Sequence, residues 1–187
     1  MDMKPLPDQA LLRQLLDYEP ETGLLRWKAR PPEMFTEGRW GRENEANRFN
    51  TMHAGNVAFT KIHGGYYRGR LLGVDYFAHR LVWKWWHGTD PDQVDHENHN
   101  PLDNRISNLR DVDNVGNSQN TKLLASNTSG CSGVVWHARD KRWQASIRHR
   151  GKKHHLGLFK RLEDAVRARR EAEVRLGFHP NHGKRFD

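Results

Sequence analysis

The chain has only one cysteine, Cys131, among its 187 residues. A single cysteine excludes an intrachain disulfide and a zinc site made of several thiolates, so we expect a reducing compartment. Long apolar runs are also missing: the mean hydropathy is −0.97, and no stretch approaches the length of a membrane span. The N-terminus lacks the pattern of a secretory signal. These absences predict a cytoplasmic protein without a membrane partner.

Acidic residues are scarce in the last third of the chain. The whole chain carries a formal net charge of +8. Residues 125–187 contain 15 Lys and Arg against 6 Asp and Glu, which gives +9, while the other residues contain 16 against 17, which gives −1. Basic residues concentrated in one region favour a polyanion, so double-stranded DNA is the expected partner.

The polar residues best suited to catalysis or metal binding lie in one segment, residues 94–122. Its sequence is VDHENHNPLDNRISNLRDVDNVGNSQNTK. Asp95 and His96 are adjacent, and Asn108 and Asn117 follow within the same segment. Carboxylate and amide oxygens suit Mg²⁺ or Mn²⁺, and a neutral imidazole can take a proton from water. This set predicts metal-assisted hydrolysis of a phosphodiester, with Asp95 and Asn117 on the metal and His96 as general base.

The local pattern around these residues predicts two strands followed by a helix. Residues 93–96 and 108–112 are the expected strands, and residues 101–105 form a loop rich in turn formers. Asp113 can cap a helix that runs to about Leu124. Asn117 would then lie one turn inside this helix and face the first strand, with the metal between them. Asn108 is expected to bridge backbone groups across the loop and so orient His96.

The segment resembles the HNH motif of phage and intron-encoded homing endonucleases. His96 matches the first His of that motif, Asn108 the central Asn, Asn117 the third position and Asp95 the metal-binding Asp. The framing sequences AHRLVWKWWHG and LDNRISNLR agree as well, and the resemblance extends upstream to about Leu11. It implies a metal-dependent DNA endonuclease that uses Mg²⁺, or Mn²⁺, in the cytoplasm of a bacterial host if the gene belongs to a phage.

Several residues near the motif have more than one interpretation. His99 stands where the family usually has Gly in a tight turn, and it adds an imidazole near the site. His79 is a third candidate metal ligand or a packing residue. Arg105 and Arg110 are candidate phosphate contacts or ordinary surface charges. Two tyrosines and two arginines either line a phosphate-facing sheet or belong to a half-buried one: Tyr66, Tyr67, Arg68 and Arg70.

Upstream of the motif, hydrophobic spacing predicts short elements. Helices are predicted at residues 8–18 and 79–87. Strands are predicted at residues 24–28, 56–61, 65–72 and 75–78. Residues 29–50, with Pro31–Pro32 and mixed charges, predict an irregular surface loop that could contact DNA.

The last third predicts a separate module. Residues 125–132 are small and polar and predict a linker. Apolar residues then alternate with polar ones through three predicted antiparallel strands, and residues 162–176 predict a helix whose small face, Ala165, Ala168, Ala172 and Leu176, packs on one side of the sheet. The other side is basic and has the size to enter a DNA major groove.

The stretch SGVVWHARDKRWQASIRHRGKKHHLGLF resembles the APETALA2-type DNA-binding domain of plant ethylene-response factors, which also occurs in phage homing endonucleases. Gly133–Val134, the strand around Trp143–Arg148, and Leu156–Gly157 with Phe159 carry the resemblance. Val135 and His137 replace arginines of the plant pattern, so the base preference does not transfer. The expected DNA-binding residues are Trp136, His137, Arg139, Lys141, Arg148, Arg150, Lys153 and His155. The alternative is a basic, solvated sheet.

Together these patterns predict an α+β protein. Residues 1–124 form an HNH nuclease domain of the ββα-metal type, with its core motif at residues 79–122, and residues 133–180 form the APETALA2-like domain after the linker. The expected activity is site-preferring cleavage of DNA by a monomer or a transient dimer. Two alternatives are a DNA-binding regulator with an inert motif and a protein that binds or cuts structured RNA.

Overall fold

The computed structural model of the protein describes residues 5–112 and 123–184. The chain divides into two compact units. The first comprises Met1–His96 with Asn100–Asp111, and the second comprises Glu97–His99 with Val112–Asp187. In the part of the chain that is described, none of the helices combines the length and the apolar composition that crossing a bilayer requires.

The first unit begins with helix α1, Gln9–Leu15, and a hairpin of strands β1, Leu16–Glu19, and β2, Leu24–Trp27. The strands pair antiparallel from Leu16 opposite Trp27 to Glu19 opposite Leu24. The sequence predicted a helix to residue 18, and this was wrong over its last three residues. Leu16 and Tyr18 are buried on one side of β1 while Asp17 is exposed, so pairing with β2 overrides helical spacing here.

The segment predicted to be an irregular loop contains a short 3-10 helix, Pro32–Met34, and the 13-residue helix α2, Gly41–His53. Only Ala46 is buried along α2, so the helix has no apolar stripe for a sequence pattern to report. The Asn50 side chain accepts a hydrogen bond from the backbone N of Arg30 at 2.8 Å and donates one to its backbone O at 2.9 Å. Phe49 packs edge-on against Trp27, with ring centroids 6.0 Å apart. Tertiary contacts at two positions therefore hold this polar helix.

A three-stranded antiparallel sheet follows, in the order β3, Lys61–His63, β4, Tyr66–Leu71, and β5, Val74–Phe77. Helix α3, Ala78–His87, continues directly from β5, starts one residue before the predicted helix and ends where it was predicted to end; Gly88 follows in the left-handed conformation. Leucines and valine from these elements build the core of the first unit, among them Leu12, Leu15, Leu16, Leu71, Leu81 and Val82. The helical spacing of residues 79–87 predicts that Trp86 also packs in this core, but 42% of its surface is exposed.

The predicted nuclease segment begins with strand β6, Gln93–His96. A 3-10 helix, Ile106–Asn108, then leads into strand β7, Leu109–Val112, and the two strands form a small sheet. The second strand starts one residue later than predicted. The expected helix that completes the ββα arrangement falls on residues 113–122, which lie outside the described residues, as do Asp113 and Asn117.

The second unit contains a three-stranded antiparallel sheet covered by one helix. Its strands, β8, Val134–His137, β9, Arg142–His149, and β10, Lys152–Phe159, lie in the order β10-β9-β8, and helix α4 is Leu162–Arg175. The core contains Cys131, Val134, Ala145 and Ala165. Within the predicted linker, the Ser129 hydroxyl donates a hydrogen bond to the backbone O of Val134 at 2.6 Å.

The inner face of α4 differs from the prediction. Ala165 and Ala172 are buried as expected, but so are Arg169 and Glu173, whereas Ala168 and Leu176 are only partly buried. The Arg169 Nε donates to Glu173 Oε1 at 2.9 Å, and its Nη1 donates to the backbone O of Ser146 at 2.7 Å. Because each charged group is satisfied by a partner, this pair can occupy an inner face that the sequence assigned to small apolar residues.

Candidate active site

Asp95 lies at the third position of β6, and the neighbouring strand β7 places Arg110 beside it. The Arg110 Nε donates to Asp95 Oδ2 at 2.9 Å, and its Nη2 donates to the same oxygen at 2.6 Å. The Asp95 side chain is 13% exposed and that of Arg110 is 23% exposed. This partly buried, charge-assisted pair fixes the direction of the carboxylate.

His96, the next residue, is buried, and its Nε2 lies 3.1 Å from the Asn104 side-chain Oδ1. An amide oxygen only accepts hydrogen bonds, so Nε2 carries the proton and Nδ1 is the basic nitrogen. Burial lowers the pKa of His96 below its usual value of 6.5, although the hydrogen bond to Asn104 and the charge of Asp95 act against this shift. The imidazole is therefore neutral at pH 7, as a general base must be.

The loop between the two strands is held by its own side chains. Asn108 is buried, and its Nδ2 donates to the backbone O of Asp103, five residues earlier in the same loop, at 2.8 Å. Asn104 is 2% exposed and makes the direct contact with His96, which sequence reasoning did not foresee. Arg105 is exposed, and its Nε donates to Asp103 Oδ1 at 2.8 Å.

His79, at the start of α3, lies against His96 with the two rings nearly perpendicular and their centroids 5.5 Å apart. Its ring also stacks on Phe77 at 5.6 Å and contacts Tyr66 at 5.0 Å. Burial first, and then the charges of His96 and Arg80, lower the pKa of His79 to about 3. The buried position and the aromatic neighbours of this ring agree with the packing interpretation, whereas the neutral state is common to both interpretations.

His99 has a φ of 60°, a left-handed conformation that glycine adopts at least cost. This is the position where the resemblance led us to expect Gly in a tight turn. The backbone therefore keeps the conformation of that turn although the side chain is an imidazole.

Among the described residues, no group of three or more His, Cys, Asp or Glu side chains is arranged to hold a metal ion. Asp95 offers a hard carboxylate ligand beside a neutral imidazole, and this donor type fits Mg²⁺ or Mn²⁺. The second predicted ligand, Asn117, lies outside the described residues.

In the second unit, the eight predicted DNA-binding residues occupy strands and turns of one sheet. Arg139 and Lys141 lie in the β8–β9 turn, and Arg150 lies in the β9–β10 turn. Arg148 and Lys153 face each other as partners on adjacent strands. Trp136 is 48% exposed. Two histidines have polar neighbours: His137 Nδ1 lies 3.2 Å from Asp140 Oδ2, and the Gln144 Nε2 lies 3.3 Å from His155 Nδ1.

A cavity of about 540 Å³ opens at one end of this sheet. It is lined by four cationic side chains, Arg148, Arg150, Lys153 and Arg169, and by Ser132, Gly133, Ser146, Gly151, Phe178 and His182. No carboxylate is present among these lining residues. Since Glu173 pairs with Arg169 from within the unit, the other three cations give the cavity its positive charge. Its charge suits an anion such as a phosphate group, and its volume of about 540 Å³ is larger than one such group requires.

Comparison with known families matches one segment of the chain. Residues 76–119 match the family model described as HNH endonuclease. This HNH segment contains Asp95, His96, Asn104 and Asn108. The match supports an HNH-type nuclease domain over these residues, and it ends before the sheet of the second unit.

The chain is also similar to a phage protein, Protein 3.8 of Escherichia phage T7, with 35% identity over 80 residues. The alignment covers 42% of this chain and 66% of the phage protein, slightly under two thirds of its length. No solved structure gives a significant match to the chain.

Proposed function

We propose that the protein is a metal-dependent DNA endonuclease that hydrolyses phosphodiester bonds at preferred sites, in the manner of a homing endonuclease. The observation that carries this proposal is the pair Asp95–His96 inside the HNH segment. One residue offers an oriented carboxylate, and the other offers a buried, neutral imidazole with a basic Nδ1. A protein that only binds DNA has no need of a carboxylate beside a neutral imidazole.

In this proposal, His96 Nδ1 takes a proton from the water that attacks phosphorus. Asp95 and Asn117 are the proposed ligands of Mg²⁺ or Mn²⁺, which when bound supplies charge stabilisation for the phosphoryl oxygens and the leaving oxygen. Asn108 holds the loop through the Asp103 carbonyl. Arg110 orients Asp95, and Arg105, which pairs with Asp103 at the surface, is the proposed contact for a flanking phosphate.

The second unit is proposed to supply most of the binding energy for DNA through the eight residues of its sheet. Arg148 and Lys153, together with Arg150 in the adjoining turn, surround the cationic cavity, so a backbone phosphate could enter it. Contacts to phosphates position a protein and depend strongly on salt, whereas base contacts give preference. The resemblance to APETALA2-type domains supports the use of this sheet on double-stranded DNA, with one chain, or two transiently, on each site.

One experiment tests the reaction directly. Supercoiled plasmid carrying candidate host DNA is incubated with the protein, with and without Mg²⁺ or Mn²⁺, and nicked and linear products are measured. The comparison is between wild type, His96→Ala and His87→Ala, an exposed histidine at the end of α3. We expect metal-dependent cutting in wild type and His87→Ala, and none in His96→Ala. Equal cutting by His96→Ala would show that the base lies elsewhere.

A DNA-binding protein with an inert motif is a second candidate, and the Arg110–Asp95 ion pair is the observation that favours it. A guanidinium on the carboxylate already neutralises the group that should bind a metal. Tight binding to duplex DNA without cutting in either metal by wild type would establish this alternative. Competition by structured RNA in the same binding assay would separate the third interpretation, an RNA-directed protein.

A further inference from the structure

We infer that the first hairpin of the chain is a positioning device for His96: through Tyr18 and Gly23 it holds Asn104, and Asn104 selects the tautomer of the catalytic imidazole. The role in catalysis rests on the proposed function, but the tautomer can be measured without it. The hairpin lies outside residues 76–119, so this support comes from a part of the chain that the family match does not cover.

The first link is the hydrogen bond between Asn104 and His96. Asn104 is 2% exposed, and its Oδ1 lies 3.1 Å from His96 Nε2. A buried amide oxygen that lost this donor would be left unsatisfied, so the folded protein favours the tautomer with the proton on Nε2. Nδ1 is then the ring nitrogen that does not carry the proton. Asn104 touches His96 but has no proposed contact with substrate, and it is therefore a positioning residue.

The second link is Tyr18, 86 residues before Asn104. Its hydroxyl donates to the backbone O of Asn104 at 2.9 Å, and the bond is buried. Burial raises the pKa of Tyr18 to about 12, so the hydroxyl remains protonated and continues to donate through the neutral range. This contact fixes the peptide that follows Asn104 while the side chain of Asn104 points to His96.

The third link is the close approach of Gly23 to the same loop. Gly23 has a φ of +74°, and a Cβ at this position would lie 2.5 Å from the backbone C of Asn104 and 2.5 Å from the backbone N of Arg105. Backbone atoms cannot yield as a flexible side chain does, so any larger residue would displace the loop or the hairpin. Tyr18 on one strand and Gly23 in the turn thus hold the same peptide from two points.

The test is a measurement of the His96 tautomer in the ¹⁵N-labelled full chain, by long-range ¹H–¹⁵N correlation at about pH 8, where histidine is neutral. We expect wild type to hold the proton on Nε2. Asn104→Leu keeps a similar volume but has no acceptor, so the population should shift toward the Nδ1–H form. Asn104→Asp keeps an acceptor oxygen and should retain the wild-type tautomer.

Tyr18→Phe tests the hairpin separately, and Tyr76→Phe is its matched control, because the Tyr76 hydroxyl donates to the backbone O of Pro5 at 3.3 Å. We expect a partial tautomer shift in Tyr18→Phe and none in Tyr76→Phe. In the plasmid assay, Asn104→Leu should reduce kcat by about tenfold with KM little changed, since general bases contribute about 10² or more to rate. Asn104→Asp should recover most of that loss.

The outcomes separate the two proposals. An unchanged tautomer in Asn104→Leu, or a shift in Tyr76→Phe equal to that in Tyr18→Phe, overturns the inference. Should Asn104→Leu not fold, the Tyr18→Phe result decides it by the same measurement. A tautomer shift together with a wild-type protein that does not cut DNA supports the positioning role and defeats the proposed endonuclease.

Discussion

Arg110 donates two hydrogen bonds to a single oxygen of Asp95, at 2.9 and 2.6 Å, across the two strands of a small sheet. The predicted metal ligand therefore has a cation of the protein on its carboxylate. Arg110 was a candidate phosphate contact or an ordinary surface charge, and in the structure it pairs with Asp95. This arrangement makes the metal dependence of the reaction sensitive to Arg110.

The first prediction concerns Arg110→Gln. Without the guanidinium, the Asp95 carboxylate loses the partner that fixes its direction, so we expect the Mg²⁺ concentration for half-maximal nicking to rise several-fold while the maximal rate changes little. The measurement is nicking rate against Mg²⁺ concentration. Arg105→Gln is the control. Because Arg105 pairs with Asp103 and not with Asp95, this substitution should leave the Mg²⁺ concentration for half-maximal nicking unchanged. If Arg110→Gln instead lowered this Mg²⁺ concentration, Arg110 would compete with the metal for Asp95.

The second prediction is the pH dependence of cleavage. The neutral form of His96 is the active base. Cleavage is therefore fast at pH values above the pKa of His96 in the folded protein, and the cleavage rate falls as the pH drops through that pKa. Because burial lowers this pKa from 6.5, we expect the rate at saturating Mg²⁺ to remain high at pH 6.5 and to decline only at lower pH. The pH profile of kcat checks this. A half-maximal rate above pH 6.5 would contradict the neutral, buried state of the imidazole.

The third prediction concerns the cationic cavity of the second unit. Combined substitution of Arg148, Arg150 and Lys153 by Gln should weaken duplex binding and reduce the slope of log affinity against log salt by about 0.9 for each phosphate that the variant no longer neutralises. The measurement is duplex binding by fluorescence anisotropy over a range of salt concentrations. The control is Arg161→Gln with Arg167→Gln, since these exposed arginines pair with Glu163 and Asp164. An equal weakening in both variants would indicate a general charge effect.

The fourth prediction tests the fold rather than the chemistry. Leu72 and Gly73 form the turn between β4 and β5, and both have positive φ, 50° and 80°. Asn tolerates this conformation better than Leu, and Leu72 is 56% exposed and loses little burial. We expect Leu72→Asn to raise the free energy of unfolding by about 0.5 to 1 kcal/mol. Urea unfolding measures it, with Leu72→Ala as control, for which no gain is expected.

The elements of two regions with a regular hydrophobic period were predicted well. Helix α3 shows its apolar spacing in the sequence, and the alternation in residues 134–159 predicted the three strands that the second unit contains. Helix α2 was missed because it has one buried residue, Ala46, and depends on contacts at Phe49 and Asn50. A pattern of burial cannot be read from a helix that buries almost nothing.

The sequence by itself determined the chemical composition of the candidate site: the adjacent Asp95 and His96 and the later Asn108 lie within one short segment, and local chemistry follows from residue type and spacing. Only the tertiary structure decided which groups these residues touch. Tyr18 reaches Asn104 across 86 residues, and Arg110 turns to Asp95 rather than outward. The physical reason is that hydrogen-bond partners and pKa shifts depend on burial and distance in space, and sequence spacing reports neither once the chain has folded back on itself.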